Sequence, residues 1–190
     1  MFNLSIYFER NFNSEYKKGR KASKIVEEFA MFKGIDKALV DEISLGTQLY
    51  KVGYIGLPKP LVERLKNNQM LTNKEILEYR KYPEKGVEIL AGKYKQEYDN
   101  NTVIGIIREH TERYDGCGYP SGLAGEAILE TTYIASICIN FVEKISQGKN
   151  IWKIAEELEL DNGLVPEEIK KDFIVFLLQK SEKIDQILNA

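Results

Sequence analysis

The sequence predicts an all-α protein built as a single bundle of about seven to nine helices. Apolar residues recur at three- and four-residue spacing along most of the chain, which is the period of an amphipathic helix. Glycines and prolines separate these periodic segments. The 190 residues, of which 43% are apolar and 29% are charged, suit one ordinary globular domain. The first eight residues, MFNLSIYF, are the candidate for a short N-terminal strand.

The first third of the chain predicts three helices with recognisable ends. The first helix covers residues 14–33 and is stopped by Gly34. Asp36 is expected to cap the second helix, which covers residues 37–50. A break rich in glycine and proline follows, and then a short helix over residues 60–66.

The rest of the chain continues the helical pattern. Thr72 and Glu75 have the spacing of a capping box before the segment ILEYRKY, and Pro83 either interrupts that helix or begins the next one. Longer amphipathic helices are predicted over residues 102–113 and 131–146. A short helix and a final one that begins near a proline complete the chain.

The composition excludes several classes of function. The formal net charge of −2 gives no basic field for nucleic acid or anionic lipid, and the basic run YKKGRKASK forms the polar face of the first helix. No apolar stretch approaches the roughly 20 residues of a membrane span, and the N-terminus lacks a secretory core. Cys117 and Cys138 lack a paired spacing and are expected to be free thiols. We therefore expect a cytoplasmic protein that binds no nucleic acid and inserts into no membrane.

Residues 112–126, ERYDGCGYPSGLAGE, place four glycines and a proline between two predicted helices. The glycines permit turns with positive φ, so a purely structural loop is one interpretation. The other interpretation is an anion-binding loop, in which converging N–H groups are assisted by Arg108 or Arg113. The residues expected to bind a ligand or a partner are Arg108, Arg113, Asp115, Gly116, Gly118, Tyr119 and Pro120.

The segment HTERYDGCGYPSGLAGEAI resembles the signature of the HD-GYP family, in which two histidines and a glutamate precede Asp-Gly-x-Gly-Tyr-Pro. Two upstream segments, LYKVGYIGLPKPLV and LTNKEILEYRKYPEKGVEIL, resemble family segments in the same order and at similar spacing. The resemblance implies a helical bundle of the HD-domain type. We call residues 112–126 the GYP loop.

The resemblance also suggests how the chain is organised. We interpret residues 1–190 as a single HD-GYP-like domain. Residues 1–12 form an N-terminal extension, residues 13–147 form the core with the GYP loop, and residues 148–190 form C-terminal helices.

The HD-GYP family hydrolyses cyclic di-GMP with two or three iron- or manganese-type ions held by histidines and aspartates. The positions that correspond to the family's catalytic residues are occupied here by Tyr50, Lys51, Tyr54, Tyr82 and Thr111. The family's early helical histidine falls near Lys18 or Gly19, and its late helical aspartate corresponds to Ile139 or Asn140. The resemblance therefore extends to the loop but not to most of the metal ligands.

His110 is the only histidine in the chain, so a histidine-rich binuclear metal site cannot be built from this sequence. We expect no cofactor and no metal, although His110, Glu112 and Asp115 are weak candidates for holding a hard cation such as Mg²⁺. Because His110 shares an apolar helix face with Ile106 and Ile107, we expect a core histidine with one hydrogen-bond partner.

The replaced positions predict how the interior is filled. The three tyrosines are expected to occupy the volume of the lost ligands and to form hydrogen bonds through their hydroxyl groups. Lys51 brings a positive charge to a position where the family has an aspartate. Its ammonium group is expected either to pair with Glu112 or Asp115, or to point into solvent.

These substitutions predict a catalytically inactive HD-GYP-like domain that works as a regulatory or protein-interaction module in bacterial signalling. In the family, the GYP loop has been linked to diguanylate cyclase domains. By resemblance, such a protein or cyclic di-GMP itself is the expected partner. The alternative is a weak metal-dependent cyclic di-GMP phosphodiesterase with a reduced metal site. The sequence leaves the oligomeric state open.

Overall fold

The computed structural model describes residues 4–92, 94–98 and 100–190, and the predicted all-α class is confirmed. Two 3-10 turns, Val52–Gly56 and Gly125–Ala127, lie between the α-helices. None of the described helices is long and apolar enough to cross a membrane. The α-helices of these residues are α1 (Leu4–Asn11), α2 (Asn13–Phe32), α3 (Lys37–Gln48), α4 (Lys59–Lys66), α5 (Asn73–Tyr79), α6 (Tyr82–Ala91), α7 (Lys95–Tyr98), α8 (Asn101–Glu109), α9 (Glu130–Ser146), α10 (Ile151–Leu160), α11 (Glu167–Gln179) and α12 (Ser181–Asn189).

The predicted number of helices is too low for the described residues. The pattern does not separate α1, α7 and α12 from their neighbours, because each has nine residues or fewer. The N-terminal strand is also wrong for the part that is described, since Leu4 and Phe8 are buried one helical turn apart on α1. A lone strand among helices would leave its backbone N–H and C=O groups unpaired. Residues 1–3 lie outside the described residues.

Side chains cap the helices at the two predicted positions and at two others. The Asp36 carboxylate accepts a hydrogen bond of 2.9 Å from the first turn of α3. Thr72 and Glu75 form the expected capping box at the start of α5. Asn100 and Asn150 cap α8 and α10 in the same way. Each cap of this kind contributes about 1 kcal/mol, because it satisfies an N–H group that has no partner within the helix.

Helix α2 lies at the centre of the largest core, where it packs against α3, α9 and α12. The Phe29 ring is 4.9 Å from Phe173 and 5.4 Å from Phe176, so the C-terminal helices share this core. A Cβ atom at Gly19 would lie 2.3 Å from the carbonyl oxygen of Gln48. The missing side chain lets α2 approach the end of α3, where the candidate site begins.

The 3-10 turn at Val52–Gly56 packs its backbone directly against α6. A Cβ atom at Gly53 would lie 1.7 Å from the carbonyl oxygen of Tyr82. This close approach places the rings of Tyr54 and Tyr82 5.0 Å apart in an edge-to-face arrangement. Two aromatic side chains from separate elements therefore meet in the interior.

Gly53→Ala is expected to destabilise the fold by about 2 kcal/mol or more, because the new methyl group meets backbone atoms that cannot rotate away. Gly105→Ala in α8 is the matched control, since its Cβ would have no neighbour beyond its own helix closer than 3.8 Å. Helix propensity favours alanine there by roughly 0.5–1 kcal/mol. Urea denaturation measures both variants, and equal stabilities would contradict the close packing at Gly53.

Candidate functional site

The GYP loop is held from the inside by Glu112. The side chain of Glu112 is buried, and its carboxylate accepts hydrogen bonds from the backbone N–H groups of Ser121 at 2.7 Å and Leu123 at 3.1 Å. The Thr111 hydroxyl donates to the carbonyl oxygen of Tyr119 at 2.6 Å. Hydrogen bonds to a charged acceptor are stronger than those between neutral groups. The loop therefore folds back onto its own first residues.

Arg113 joins the GYP loop to the segment that precedes α11. Its guanidinium group pairs with Asp115 at 3.0 Å and with Asp161 at 2.7 Å. The hydrogen bonds to Asp161 and Asp115 raise the pKa of Arg113 above its usual value. Asp115 also accepts a hydrogen bond from the N–H of Cys117 at 2.9 Å. Two residues that the sequence predicts to bind a ligand or partner are thus engaged within the chain.

The loop needs its glycines for two different reasons. Gly116 has a φ of +74°, and two other loop glycines also have positive φ, as the structural interpretation expects. At Gly118 the constraint is distance, because a Cβ atom there would lie 2.4 Å from the Cα atom of Glu112. The peptide bond between Tyr119 and Pro120 is cis. The predicted ligand residues of the loop therefore shape its backbone.

His110 lies just beyond α8, which ends at Glu109 and not at residue 113 as predicted. The side chains of the residues after it, Thr111 and Glu112, bind the backbone of the loop. The Nε2 atom of His110 is 2.6 Å from the Tyr82 hydroxyl, and Nδ1 is 3.0 Å from the carbonyl oxygen of Ile106. A carbonyl can only accept, so Nδ1 carries the proton and Nε2 accepts from Tyr82. Both ring nitrogens are used, one more than expected, and burial lowers the pKa of His110 to about 4.

Three tyrosines occupy positions that correspond to catalytic residues of the HD-GYP family, namely Tyr50, Tyr54 and Tyr82. All three are buried, and the hydroxyl group of each has a hydrogen-bond partner. The Tyr50 hydroxyl donates to Glu143 at 2.5 Å, and the Tyr54 hydroxyl lies 3.0 Å from that of Tyr79. The third hydroxyl binds the histidine ring described above. Burial raises the pKa of all three, so they are neutral at physiological pH. They fill the interior and form hydrogen bonds, as the sequence predicts.

Lys51 is the centre of a group of four charged side chains. It is 7% exposed, and its ammonium group pairs with Glu15 and, at 2.5 Å, with Glu143. Lys18 pairs with the same two carboxylates at 3.2 Å and 3.4 Å. We call Glu15, Lys18, Lys51 and Glu143 the buried ion cluster after Lys51; the other three side chains are half-buried. Two cations and two anions balance, so the cluster has no formal net charge.

The predicted partners of Lys51, Glu112 and Asp115, are wrong, and so is the alternative that Lys51 points into solvent. Glu112 and Asp115 face the loop, whereas Lys51 faces α2 and α9. Burial opposes the charge of Lys51, but Glu143 and Glu15 outweigh it and raise the pKa of Lys51. Burial likewise opposes ionisation of Glu143, but Lys51 and Tyr50 outweigh it and lower the pKa of Glu143. The pair is therefore ionised.

A cavity of about 380 Å³ lies between the buried ion cluster and the GYP loop. Four tyrosines line it, namely Tyr50, Tyr79, Tyr82 and Tyr119. Helix α9 contributes the polar residues Ser136, Asn140 and Glu143, and Gln147 follows at its C-terminal end. Lys51 lines this cavity and also a second one of about 440 Å³ beside the first turn of α2.

The profile of the HD-domain family matches residues 9–156, well over half of the 190 residues. The chain belongs to the HD-domain family. The family membership inferred from the loop signature is thereby confirmed. The matched range of this HD domain contains the buried ion cluster, the tyrosines and the GYP loop.

Two relatives are named as phosphodiesterases. The HD-domain chain is 35% identical over 103 residues to the cyclic di-GMP phosphodiesterase response regulator RpfG of Xanthomonas campestris, which covers 54% of the chain and 26% of that protein. It is 31% identical over 122 residues to a cyclic di-GMP phosphodiesterase of Pseudomonas aeruginosa, which covers 63% of the chain and 28% of that protein. The matches thus span about a quarter of each relative.

The donor atoms of this HD domain do not fit a binuclear metal centre. In the described part of the chain, no three His, Cys, Asp or Glu side chains converge as a metal site would require. Of the three weak metal candidates, His110 uses both nitrogens, Glu112 binds loop N–H groups, and Asp115 binds Arg113. A metal ion beside Lys51 would in addition be repelled by an ammonium group.

The structure brings some of the predicted residues together and leaves others apart. Thr111, Arg113 and Tyr119 line the cavity. Arg108 is exposed on α8 and is absent from the cavity wall. The two arginines that the sequence offers for a phosphate group therefore do not converge on one site.

Sequence reasoning missed Glu15, Glu143 and Ser136. Glu143 carried a usable signal, because it places a carboxylate in the apolar segment 131–146, one turn after Asn140. Glu15 and Ser136 carried none, since a glutamate in a first turn and a serine in a helix are both common.

Lys51→Met is expected to destabilise the HD domain by roughly 3 kcal/mol, because Glu15 and Glu143 stay partly buried with one counter-charge fewer. Lys37→Met is the matched control, since Lys37 pairs with Asp41 at the surface, and should be nearly neutral. Adding Glu143→Gln to Lys51→Met should recover part of the loss. Equal effects of the two lysine substitutions in urea denaturation would contradict a stabilising role of the cluster.

The ring of His110 is expected to remain neutral as the pH falls to 5 and to titrate near pH 4 in the folded protein. Because it is the only histidine, its Cε1–H resonance can be followed by NMR without assignment. The unfolded chain takes up this proton near pH 6.5. Stability is therefore complete above that pH and falls by about 3 kcal/mol as the pH drops towards 4.

His110→Gln is the control for this pH dependence, since carboxylates also titrate in the lower part of the window. The variant should lose the part of the stability change that lies between pH 6.5 and 5. A His110 resonance that titrates near pH 6.5 in the folded protein would contradict the buried neutral ring.

Proposed function

We propose that this chain is a catalytically inactive HD-GYP-like domain that regulates cyclic di-GMP signalling through contacts with other proteins. The observation that carries the proposal is the buried ammonium group of Lys51 between Glu15 and Glu143. Lys51 lies at a position where the HD-GYP family, which the chain resembles, has a metal-binding aspartate. An ammonium group neutralises carboxylates as a metal ion does, but it cannot coordinate and activate a water molecule.

The histidine supports the same proposal. Metal binding needs a lone pair on a ring nitrogen. In His110, one nitrogen carries a proton directed at a backbone carbonyl, and the other accepts the hydroxyl of Tyr82. A metal could bind only if Tyr82, which is buried, moved away. The remaining replaced positions offer neutral tyrosines, which are poor ligands for such ions.

The GYP loop is the proposed contact surface. Glu112 and Arg113 hold its backbone from within, while Asp115, Cys117 and Ser121 are exposed. A surface that is ordered before binding loses little conformational entropy on association. The resemblance suggests a diguanylate cyclase domain as the partner. The names of the two relatives support a link to the same messenger.

Two alternatives receive less support. A cyclic di-GMP receptor would use Arg108, Arg113 and the loop N–H groups. Arg113 and loop N–H groups are taken up by Asp161, Asp115 and Glu112, and Arg108 lies away from the cavity wall. A weak phosphodiesterase would need a reduced metal site, and the donors described above do not form one. The weak phosphodiesterase is an outcome of the following experiment.

The purified chain, incubated with Mn²⁺ or Fe²⁺, is expected to hydrolyse cyclic di-GMP no faster than buffer and to retain far less than one equivalent of metal. The Pseudomonas aeruginosa relative serves as the positive control under the same conditions. Metal content is measured by mass spectrometry and hydrolysis by chromatography. Metal-dependent turnover that His110→Ala abolishes would overturn the proposal in favour of the weak phosphodiesterase.

A second arm of this experiment tests the regulatory part. Cyclic di-GMP production by diguanylate cyclase domains of the same organism is measured with and without the chain. The chain should change the rate of one of them, Ser121→Arg in the loop should remove the effect, and Lys153→Glu on the exposed face of α10 should not. If no cyclase responds, the partner assignment fails while catalytic inactivity stands on the first arm.

A further inference from the structure

A groove of about 450 Å³ lies between the last residues of the GYP loop and the first turns of α9 and α11. It shares no lining residue with the cavity that contains Lys51. Hydrogen bonds fix its wall, because the Tyr133 hydroxyl donates to the carbonyl oxygen of Gly125 at 2.7 Å and the N–H of Gly125 donates to that of Tyr114 at 3.1 Å. The groove is therefore formed before any partner arrives.

Two large apolar side chains of this groove are exposed to water. Leu129 is 53% exposed and Tyr114 is 42% exposed. Leu129 also occupies the N-cap position of α9, where it satisfies no N–H group of the first turn and a serine, threonine, aspartate or asparagine would. The folded chain gains little from a leucine at this place, because half of its surface meets water and a polar residue would cap the helix. Exposed apolar surface that breaks a local rule in this way is typical of an interaction site.

The charged residues that line the groove are all acidic. Glu126, Glu130 and Glu168 are exposed, and none of them forms an ion pair within the part of the chain that the structure describes. The neighbouring Glu167, by contrast, pairs with Lys170 at 2.7 Å. Two of the three carboxylates stand in first turns, where the helix dipole favours them, but Glu126 lies outside the α-helices and adds its charge to theirs. The groove therefore presents uncompensated negative charge around an apolar floor.

We propose that this groove binds a basic, amphipathic segment of a partner protein, with an arginine or lysine side chain on the ring of Tyr114 and an apolar side chain against Leu129. Carboxylates and the face of a tyrosine ring both attract a guanidinium or ammonium group. The aliphatic stem of such a side chain covers apolar surface while its charge stays at the rim. An acidic segment would be repelled. This inference deepens the regulatory part of the proposed function, on which it rests, by naming the face that is contacted and the charge of the partner segment.

Short random peptides displayed on phage and selected on the whole chain test the class of partner. The selected peptides should combine arginine or lysine with aliphatic residues, and a labelled synthetic copy should bind more weakly as the salt concentration rises. Selected peptides without basic residues would overturn the proposal, and so would a selection that yields no binding peptide. The binding measurement uses no cyclic di-GMP, metal or cyclase, so its failure is distinguishable from failure of either arm of the experiment on the proposed function.

The carboxylates are tested with the selected peptide in fluorescence anisotropy. Glu126→Gln combined with Glu168→Gln should weaken its binding roughly three- to tenfold, because two charge pairs with the peptide are lost. Glu88→Gln combined with Glu182→Gln is the matched control, since it removes the same charge from exposed carboxylates outside the groove, one of them also in a first turn. The control should bind as the unmodified chain does, and equal weakening by both variants would overturn the site.

Leu129→Ser separates binding from stability. It should weaken peptide binding about fivefold, because apolar contact area is lost. The midpoint of thermal unfolding should stay within about 2 °C of the unmodified chain, because serine caps α9 in place of the contacts that the leucine gives up. Unchanged peptide binding by a folded Leu129→Ser would overturn the apolar part of the site. If this variant does not fold, the comparison of the two glutamine variants still decides.

Size-exclusion chromatography tests the other occupant, a second copy of this chain, whose basic run YKKGRKASK would supply the cations. The unmodified chain should elute at the same position over a wide range of concentration. Self-association that Glu126→Gln combined with Glu168→Gln abolishes would assign the groove to a second copy and overturn its assignment to a partner protein.

Discussion

A buried ammonium group between two carboxylates is the interaction on which the site of this HD domain depends. Lys51 follows α3, Glu15 lies in the first turn of α2, and Glu143 lies on α9, so one charge joins three elements. Charges removed from water are stable only when they are paired, and the loss of any one of them leaves the others uncompensated. Tyr50 donates a hydrogen bond to Glu143, and Lys18 pairs with both carboxylates, so these two side chains help to meet the same requirement.

The charged side chains of the GYP loop are likewise paired within the chain. Glu112 uses its carboxylate to hold loop N–H groups, and Arg113 is divided between Asp115 and Asp161. A loop whose polar groups are satisfied within the chain keeps its shape without a ligand. Such a loop is already ordered when it meets the partner protein proposed above.

Much of the fold could be read from local sequence. The cap at Asp36 and the capping box at Thr72 join residues two or three positions apart, so a short stretch of sequence determines their geometry. The tyrosine filling of the interior also followed from residue type and the resemblance. The partners of Lys51 did not, because Glu143 is 92 residues away and only packing decides which carboxylate a buried ammonium group meets. Helix α1 was missed because its two buried residues are too few to show a helical period.

The sequence by itself determined the helical class, the glycine-rich loop and the presence of a single histidine. These depend on composition and on spacings within a few turns. Only the tertiary structure decided that both nitrogens of His110 are used and that Lys51 joins α2 to α9. The reason is physical: hydrogen bonds and ion pairs in the interior depend on distances between elements that lie far apart in the chain, and those distances are set by packing.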